Sequence, residues 1–289
     1  MRGKHESGQA LMLVLLSLSV VLTLVLFILS RSVTDVSVSS NQSDSIRAFS
    51  AAEAGVEQAL VVGSSSAPNS TIGDTGAKYT ATVTDYGQGL PEYIYPFLLS
   101  SGDSATVWFL GHKTDGSLTT TGAFTGSKMT ICWGSGTASV SSPAIEVSIY
   151  YESGILSLTN FSTLQIARTA IDPFAGRSPA NNFSNSVGSG CTIAGKTYAF
   201  QKTVTFSGFS PAVNTSSLIL ARVRMLYNPT PQDFGVSVAG SGGVLPSEAK
   251  EIDSKGLAGS SNRRIVVYQG WGEFPFALNS IITPVGITK

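Results

Sequence analysis

The sequence predicts an α+β fold, in which one long N-terminal helix with a membrane-spanning first half precedes an exported, sandwich-like all-β domain. Three observations lead to this prediction. Residues 10–29 are uncharged and strongly apolar, residues 30–62 contain no proline, and apolar and polar residues alternate in many short segments beyond residue 76. Helices and strands leave these two different periodicities in a sequence, so the helix and the strands occupy separate parts of the chain.

The composition favours an extracellular β-rich protein. Only 12% of the 289 residues are Asp, Glu, Lys or Arg, about half the usual share, and the formal net charge is zero. Serine, threonine, glycine and asparagine provide the polar surface instead. Apolar residues make up 42% of the chain, which excludes a disordered protein. A neutral chain gives no electrostatic reason to expect a nucleic-acid partner.

The segment Ala10–Leu29 is long enough to cross a membrane as a helix. It contains no charged residue, and at a rise of about 1.5 Å per residue it spans a hydrocarbon core of about 30 Å. Arg2 and Lys4 precede it, and positive charge favours the cytoplasmic side. We therefore expect the N-terminus inside the cell and the β domain outside.

The helical pattern continues to about residue 62, which predicts a single helix over residues 9–62. Apolar residues recur at three- and four-residue steps in its second half, as expected for one helix face. That face is predicted to dock on the β domain, while the first half lies in lipid. Its predicted docking residues are Ile46, Phe49, Val56 and Leu60.

The N-terminal region resembles the type IV pilin superfamily. The residues that carry the resemblance are a short polar leader ending at Gly8, then Gln9, then the uncharged run, and finally the stretch AFSAAEAGVEQAL at residues 48–60. The last stretch is similar to minor pilins of the PilX type. The resemblance implies a leader over residues 1–8, cleavage by a prepilin peptidase between Gly8 and Gln9, and packing of the mature helix against other pilin subunits.

One position departs from the pattern of the major pilins. Most pilins carry a glutamate at the fifth mature position, where this chain has Leu13. A buried lone carboxylate in lipid is costly and is retained only where it is paired. The resemblance then implies a minor or tip subunit. The alternative is an uncleaved signal anchor that tethers the β domain to the membrane.

Beyond the helix, residues 63–76 are small and polar and are predicted to form a linker. Residues 77–289 then form the β-rich domain, with about nine strands separated by turn residues. A loop-like stretch at residues 172–190 has two interpretations. It either separates two β units, residues 77–171 and 196–289, or forms a long loop within one sandwich.

The chain offers few residues for a metal or a catalytic site. Its two histidines are His5 and His112, and no pair of cysteines is closely spaced, so we predict neither a metal nor another cofactor. His112 is expected on an exposed turn. In an exported chain Cys132 and Cys191 are able to form a disulfide worth about 4 kcal/mol; two buried free thiols are the other interpretation.

The stretch GCTIAGKT at residues 190–197 matches the pattern of a phosphate-binding loop. Such a loop requires a buried strand before it and a helix after it. The preceding residues do not look like a strand, and residues 198–206 alternate as a strand does. We therefore predict a glycine-rich turn that leads into a strand, and no enzymatic activity.

These observations predict a minor or tip subunit of a type IV pilus or a related surface filament. Its expected partners are the membrane, the prepilin peptidase and other pilin subunits, and its final location is extracellular. The alternative is a membrane-anchored adhesin that binds a surface glycan or protein. Aromatic residues are the candidates for such a site: Trp108, Trp133 and Trp271.

Overall fold

A computed structural model describes residues 7–240 and 242–272. Its first element, α1 (Ser7–Val62), is one unbroken helix of 56 residues, which confirms the helix predicted over residues 9–62. The β-prone stretch at residues 33–38 is helical as well. The helix ends at Gly63, whose φ of 72° is left-handed and whose N–H donates to Ala59 O at 2.8 Å, a common glycine termination.

The remainder of the described chain consists of short and medium strands, one short α-helix and two 3₁₀ helices, Phe206–Gly208 and Thr215–Ser217. Each segment that the sequence predicts as a strand contains one; these segments are residues 79–84, 105–110, 128–133, 144–151, 163–171, 197–206, 218–227, 234–239 and 264–268. The described strands are β1 (Ser70–Thr71), β2 (Lys78–Tyr86), β3 (Glu92–Ile94), β4 (Ser104–Trp108), β5 (Gly111–His112), β6 (Leu118–Thr119), β7 (Lys128–Trp133), β8 (Ala144–Glu152), β9 (Leu164–Ile171), β10 (Gly188–Ile193), β11 (Lys196–Thr205), β12 (Leu218–Leu226), β13 (Phe234–Ala239), β14 (Ala249–Ala258) and β15 (Ser261–Gly270), and the short helix is α2 (Ser178–Asn181).

The strands form two larger sheets that enclose the main apolar core. One has the order β10-β11-β7-β13-β3, and the other has the order β4-β12-β8-β9. All the pairings within them are antiparallel. Side chains from both sheets meet in one cluster, as in a β-sandwich. Its fully buried members include Trp133, Ile149, Phe206, Val223 and Phe234.

Strands from both sides of residues 172–190 alternate in these sheets. Strand β7 lies between β11 and β13, and β12 lies between β4 and β8. Described strands of both segments, residues 77–171 and 196–289, therefore contribute to one sandwich. Long-range antiparallel pairing explains this arrangement, because each of the two larger sheets combines strands from both segments.

The chain divides into two compact units with different limits. Unit 1 comprises the described residues up to 83 together with residues 252–267. Among the described residues, unit 2 comprises residues 84–251 and 268–272, and it contains the sandwich. A third sheet has the order β1-β2-β14-β15. In unit 1, residues of this sheet pack against the second half of α1.

Residues 63–76, predicted to be a linker, are tied to β2. Strand β1 lies within them and pairs antiparallel with the start of β2. The Ser66 N–H donates to Ala81 O at 2.8 Å, and the Ala81 N–H donates to Ser66 Oγ at 2.8 Å. The Val83 N–H donates to Ser65 Oγ at 2.9 Å. Serine hydroxyls thus satisfy part of the open edge of β2, which explains why this small, polar stretch is ordered.

Asp172 organises the start of the loop that follows β9. Its side chain is buried, and its carboxylate accepts two hydrogen bonds from the Arg177 guanidinium, both at 2.9 Å. The Phe174 N–H and the Asn181 amide donate to the same carboxylate. Arg177 also donates to Ser142 O on a neighbouring turn. This buried ion pair holds α2 in place.

We expect Asp172→Asn to destabilise the fold by about 3 kcal/mol, because the Arg177 guanidinium loses its buried counter-charge. The matched control is Asp253→Asn, which breaks an exposed ion pair with Arg264 and should cost less than about 1 kcal/mol. Thermal unfolding of both variants measures the difference. Equal melting temperatures would contradict a structural role for Asp172.

The Asp172 carboxylate also makes the stability of the fold depend on pH. Burial raises the pKa of Asp172, but the hydrogen bonds from Arg177, Phe174 and Asn181 outweigh burial and leave the pKa below its ordinary value. The folded state therefore favours the ionised form. This contribution is complete above about pH 5 and is lost as the pH falls through the folded pKa. The Asp172→Asn variant should lack that acid-induced loss.

Candidate functional site

The first half of α1 presents an uninterrupted apolar surface. By length and composition α1 is able to cross a membrane, since its most apolar 18-residue window has a mean hydropathy of 3.0 and none of that window is buried. Polar hydroxyls in this half are internally satisfied: Ser17 Oγ, Ser19 Oγ and Thr23 Oγ1 donate to carbonyls three or four residues earlier. The helix therefore suits lipid, as a signal sequence or as an anchor.

The second half of α1 docks through small residues. Ala48, Ala51 and Ala52 have no exposed surface, and Ala59 is 1% exposed. The opposing strand β14 alternates buried and accessible residues, and its buried residues after Ile252 are Ser254, Gly256 and Ala258, which are equally small. We call this contact the small-residue seam; its members are Ala48, Ala51, Ala52, Gly55, Ala59, Ser254, Gly256 and Ala258.

Two glycines allow the backbones of α1 and β14 to approach closely. A Cβ atom on Gly256 would lie 1.9 Å from Ala48 O and 2.5 Å from Ala52 N. A Cβ atom on Gly55 would lie 2.2 Å from Ser254 Oγ. Neither distance is sterically allowed, and at Gly256 the obstacle is helix backbone that no rotamer change can move. In the stretch AFSAAEAG, the residues buried against the sheet are Ala48, Ala51, Ala52 and Gly55.

The docking residues predicted from the apolar spacing are wrong at three of four positions. Val56 is buried, with 8% exposure, but Ile46, Phe49 and Leu60 are 60%, 47% and 40% exposed. Around Ala48, Ala52 and Gly55 the sheet lies too close to the helix for large side chains, so alanine and glycine occupy that part of the contact. Ile46, Phe49 and Leu60 instead lie on the accessible side of α1, together with the exposed Glu53 and Glu57.

Phe49→Ala should therefore change the free energy of unfolding by no more than about 0.5 kcal/mol. The value of about 3 kcal/mol expected for a buried phenylalanine does not apply to a half-exposed one. Denaturation of the full chain in detergent micelles measures this. Ala52→Leu is the matched comparison, because it overfills the small-residue seam and should cost about 1–3 kcal/mol. A large loss of stability in Phe49→Ala would place Phe49 in the packed interface after all.

The predicted cleavage position, between Gly8 and Gln9, lies in the first turn of α1. Most of the leader, residues 1–6, lies outside the described residues. Cleavage at this position stays a prediction.

The stretch GCTIAGKT forms a β-hairpin. Residues up to Ile193 belong to β10, Lys196 begins β11, and the two strands pair antiparallel with Ile193 opposite Lys196. Ala194 and Gly195 form the two-residue turn, with φ values of 45° and 84°, as in the hairpin turns that match strand twist. The predicted turn leading into a strand is confirmed, whereas the entering strand β10 was missed. A phosphate-binding loop would need a helix where β11 lies.

Cys132 and Cys191 form a disulfide, with Cα atoms 5.9 Å apart. Cys132 belongs to β7 and Cys191 to β10, and both lie in a small cluster with Ile193 and Tyr198. Near the tip of the same hairpin, the Ala194 N–H donates to Glu92 Oε2 at 2.6 Å. Because disulfides persist in oxidising compartments, this bond is typical of a domain outside the cytoplasm.

The tryptophans predicted as ligand-binding candidates have different environments. Trp133 is fully buried, and its Nε1 donates to Pro143 O at 2.9 Å, so it belongs to the core. Trp108 and Trp271 meet at His112, which stacks on the Trp271 ring at 4.4 Å and packs against the edge of Trp108 at 4.5 Å. Burial lowers the pKa of His112 to about 4, so its ring is neutral at pH 7. His112 is therefore part of a packed aromatic group and not an exposed turn residue.

Comparisons with protein-family models, with curated proteins and with solved structures find no match to this chain. The class that the geometry defines is an α+β protein with a long apolar N-terminal helix followed by a disulfide-bonded, β-rich region.

Proposed function

We propose that this chain is a minor or tip subunit of a type IV pilus or a related cell-surface filament. The observation that carries the proposal is that the two halves of α1 have different surroundings. One continuous helix has a lipid-compatible, fully accessible first half and a second half that docks on a sheet through the small-residue seam. This is the plan that the resemblance to pilins implies.

In this proposal α1 first anchors the precursor in the membrane and later packs among the helices of other subunits. Leaving lipid costs little where apolar contacts with neighbouring helices replace lipid contacts. Ile46, Phe49 and Leu60 add accessible apolar side chains in the second half of α1. Neighbouring helices of a filament would cover these side chains.

The processing step follows from the same resemblance. A prepilin peptidase would remove residues 1–8 at the cytoplasmic face, and the mature chain would start at Gln9. Leu13 replaces the usual glutamate, which favours a minor or tip position over that of the main repeating subunit. The role is structural and uses no cofactor.

The second candidate is a membrane-anchored adhesin. It is favoured by the aromatic group around Trp108, His112 and Trp271. Aromatic side chains whose polar end remains accessible to solvent are common at recognition sites. In that case α1 remains a permanent anchor.

Shearing of surface filaments distinguishes the two candidates. Cells that express the full chain together with an assembly system should release it into the sheared fraction, and cells without the assembly ATPase should retain it in membranes. A chain that stays in the membrane fraction under both conditions would leave the anchored adhesin.

A further inference from the structure

A small cavity in unit 2 combines aromatic walls with one buried carboxylate. Its volume is about 40 Å³. Three of its lining residues, Tyr93, Trp108 and Glu248, are almost completely buried, while Phe97 is 47% exposed and Trp271 is partly exposed. The cavity therefore has an enclosed floor and an aromatic rim that reaches solvent.

Among the described residues, only one of the two Glu248 carboxylate oxygens has a hydrogen-bond partner. Oε2 accepts a hydrogen bond from the Trp108 backbone N–H at 2.9 Å. Strand β4, which contains Trp108, is the edge strand of its sheet, so this bond caps an otherwise open N–H. Oε1 is buried, and no residue in the described part of the chain donates to it. An unsatisfied buried oxygen of this kind is costly and is rarely retained without a reason.

Within the part of the chain that the structure describes, no ion pair supplies Glu248 with a counter-charge. Lys250, which lies in β14 two residues after Glu248, pairs with Asp85 Oδ1 at 2.7 Å, and its ammonium lies 5.5 Å from the centre of the Trp271 ring. Trp271 is held in place, since its Nε1 donates to Ser247 O at 2.8 Å. Burial raises the pKa of Glu248 well above its ordinary value, with the Trp108 hydrogen bond opposing that shift. A bound cation would restore the ionised form.

The chemistry of the walls selects the kind of cation. Aromatic faces attract cations, and in the ionised carboxylate Oε1 requires an N–H or O–H donor. A guanidinium prefers both oxygens of a carboxylate at once, but Oε2 is already occupied. A metal ion prefers several oxygen ligands, and residues 10–240 and 242–272 contain no cluster of three acidic, histidine or cysteine residues that would provide them.

The volume of the cavity also limits the size of the cation. A cavity of about 10–15 Å³ on this measure holds one water, so about 40 Å³ admits an ammonium head with its first methylene group but not a sugar ring. A quaternary ammonium has no N–H for Oε1. A compact primary ammonium, with three donors on a flexible stem, meets every requirement.

We propose that this cavity binds the ammonium group of a primary alkylamine, such as a lysine side chain, with one N–H donated to Glu248 Oε1 and the aromatic rings around the remaining surface. The site is independent of α1 and does not rest on the filament role. It assigns to the β domain a ligand class, amine-bearing partners or surfaces.

Calorimetric titration of the full chain in detergent micelles with n-butylammonium chloride tests the proposal. Saturable binding at one site per chain is expected. Glu248→Gln keeps an oxygen for the Trp108 N–H but removes the charge, so affinity should fall about tenfold or more. Glu251→Gln, three residues further along the chain in β14, is the matched control and should bind as the wild type does.

Three further ligands sharpen the test. Uncharged n-pentanol and tetramethylammonium should each bind about tenfold more weakly than n-butylammonium, because the first lacks charge and the second lacks an N–H donor. N-acetyl-lysine methylamide should bind and glucosamine should not, because the amine of glucosamine sits directly on a ring. Tighter binding of glucosamine would overturn the assignment to an unbranched chain.

Two results would overturn the site as a whole. One is the absence of saturable binding to the wild type, and the other is equal affinity in Glu248→Gln or for n-pentanol. If Glu248→Gln unfolds, the Trp271→Leu variant tests the site instead. It removes an aromatic ring at the rim of the cavity and leaves Glu248 unchanged. Affinity for n-butylammonium should then fall, and unchanged affinity would contradict the proposal.

Discussion

Gly256→Ala is expected to destabilise unit 1 by about 3 kcal/mol and to release the second half of α1 from the sheet. The new methyl group would lie 1.9 Å from Ala48 O and 2.5 Å from Ala52 N. Both obstacles are backbone atoms inside a helix, so relief requires α1 and β14 to move apart. Such a movement also exposes the small-residue seam and forfeits its close contacts.

Hydrogen–deuterium exchange of the full chain in detergent micelles measures this effect locally. Protection should fall over residues 44–60 and 252–258, while the sandwich keeps its protection. Gly208→Ala is the matched control, since a Cβ atom there meets no atom within 4 Å. Wild-type protection in Gly256→Ala would show that the helix does not contact the sheet through its backbone.

Removal of the disulfide is expected to have the other large effect. The bond joins residues 59 positions apart, and a loop of that length corresponds to about 4 kcal/mol of stabilisation in the chain-entropy description. The Cys132→Ser/Cys191→Ser double variant should therefore unfold at a much lower denaturant concentration. The β10–β11 hairpin should lose stability first, because Cys191 joins β10 to β7.

Peptide mapping without reduction establishes the bond, and chemical unfolding then gives its contribution. The reduced wild type should match the double variant, and Ser189→Ala, a control on β10 outside the bond, should match the oxidised wild type. Unfolding midpoints that do not differ between oxidised and reduced protein would contradict a stabilising disulfide.

The sequence predicts the elements that have a strong local signal. The helix α1 is unmistakable, because no proline interrupts it and its apolar run is long. Strands such as β8 and β12, with their β-branched and alternating residues, were predicted for the same reason. In these segments each residue's own preference agrees with its tertiary environment.

The helix docking surface could not be predicted in this way. An apolar periodicity selects the largest side chains, and it selected Ile46, Phe49 and Leu60. The structure buries Ala48, Ala51 and Ala52 instead, since the distance between helix and sheet decides which sizes fit. That distance depends on Gly256, about two hundred residues further along the chain, and no local pattern reveals it.

Strand β14 and the aromatic cavity were missed for related reasons. β14 reads AKEIDSKGLA, so its inward positions after Ile252 are the small residues Ser254, Gly256 and Ala258, which give no apolar alternation. The cavity joins Tyr93, Trp108 and Glu248, which are brought together only by the sheet topology. A lone glutamate beside a strand carries no signal in the sequence until its burial is known.

The mass of the N-terminus after co-expression with a prepilin peptidase tests the filament proposal most directly. Intact-mass measurement should show a mature chain that begins at Gln9, and a catalytically inactive peptidase should leave the precursor uncut. Such a result would place the chain in the pilin pathway although it has Leu13 in place of the usual glutamate. A membrane-bound chain that keeps Met1 in the presence of the active peptidase would contradict the proposal and leave a permanently anchored β domain.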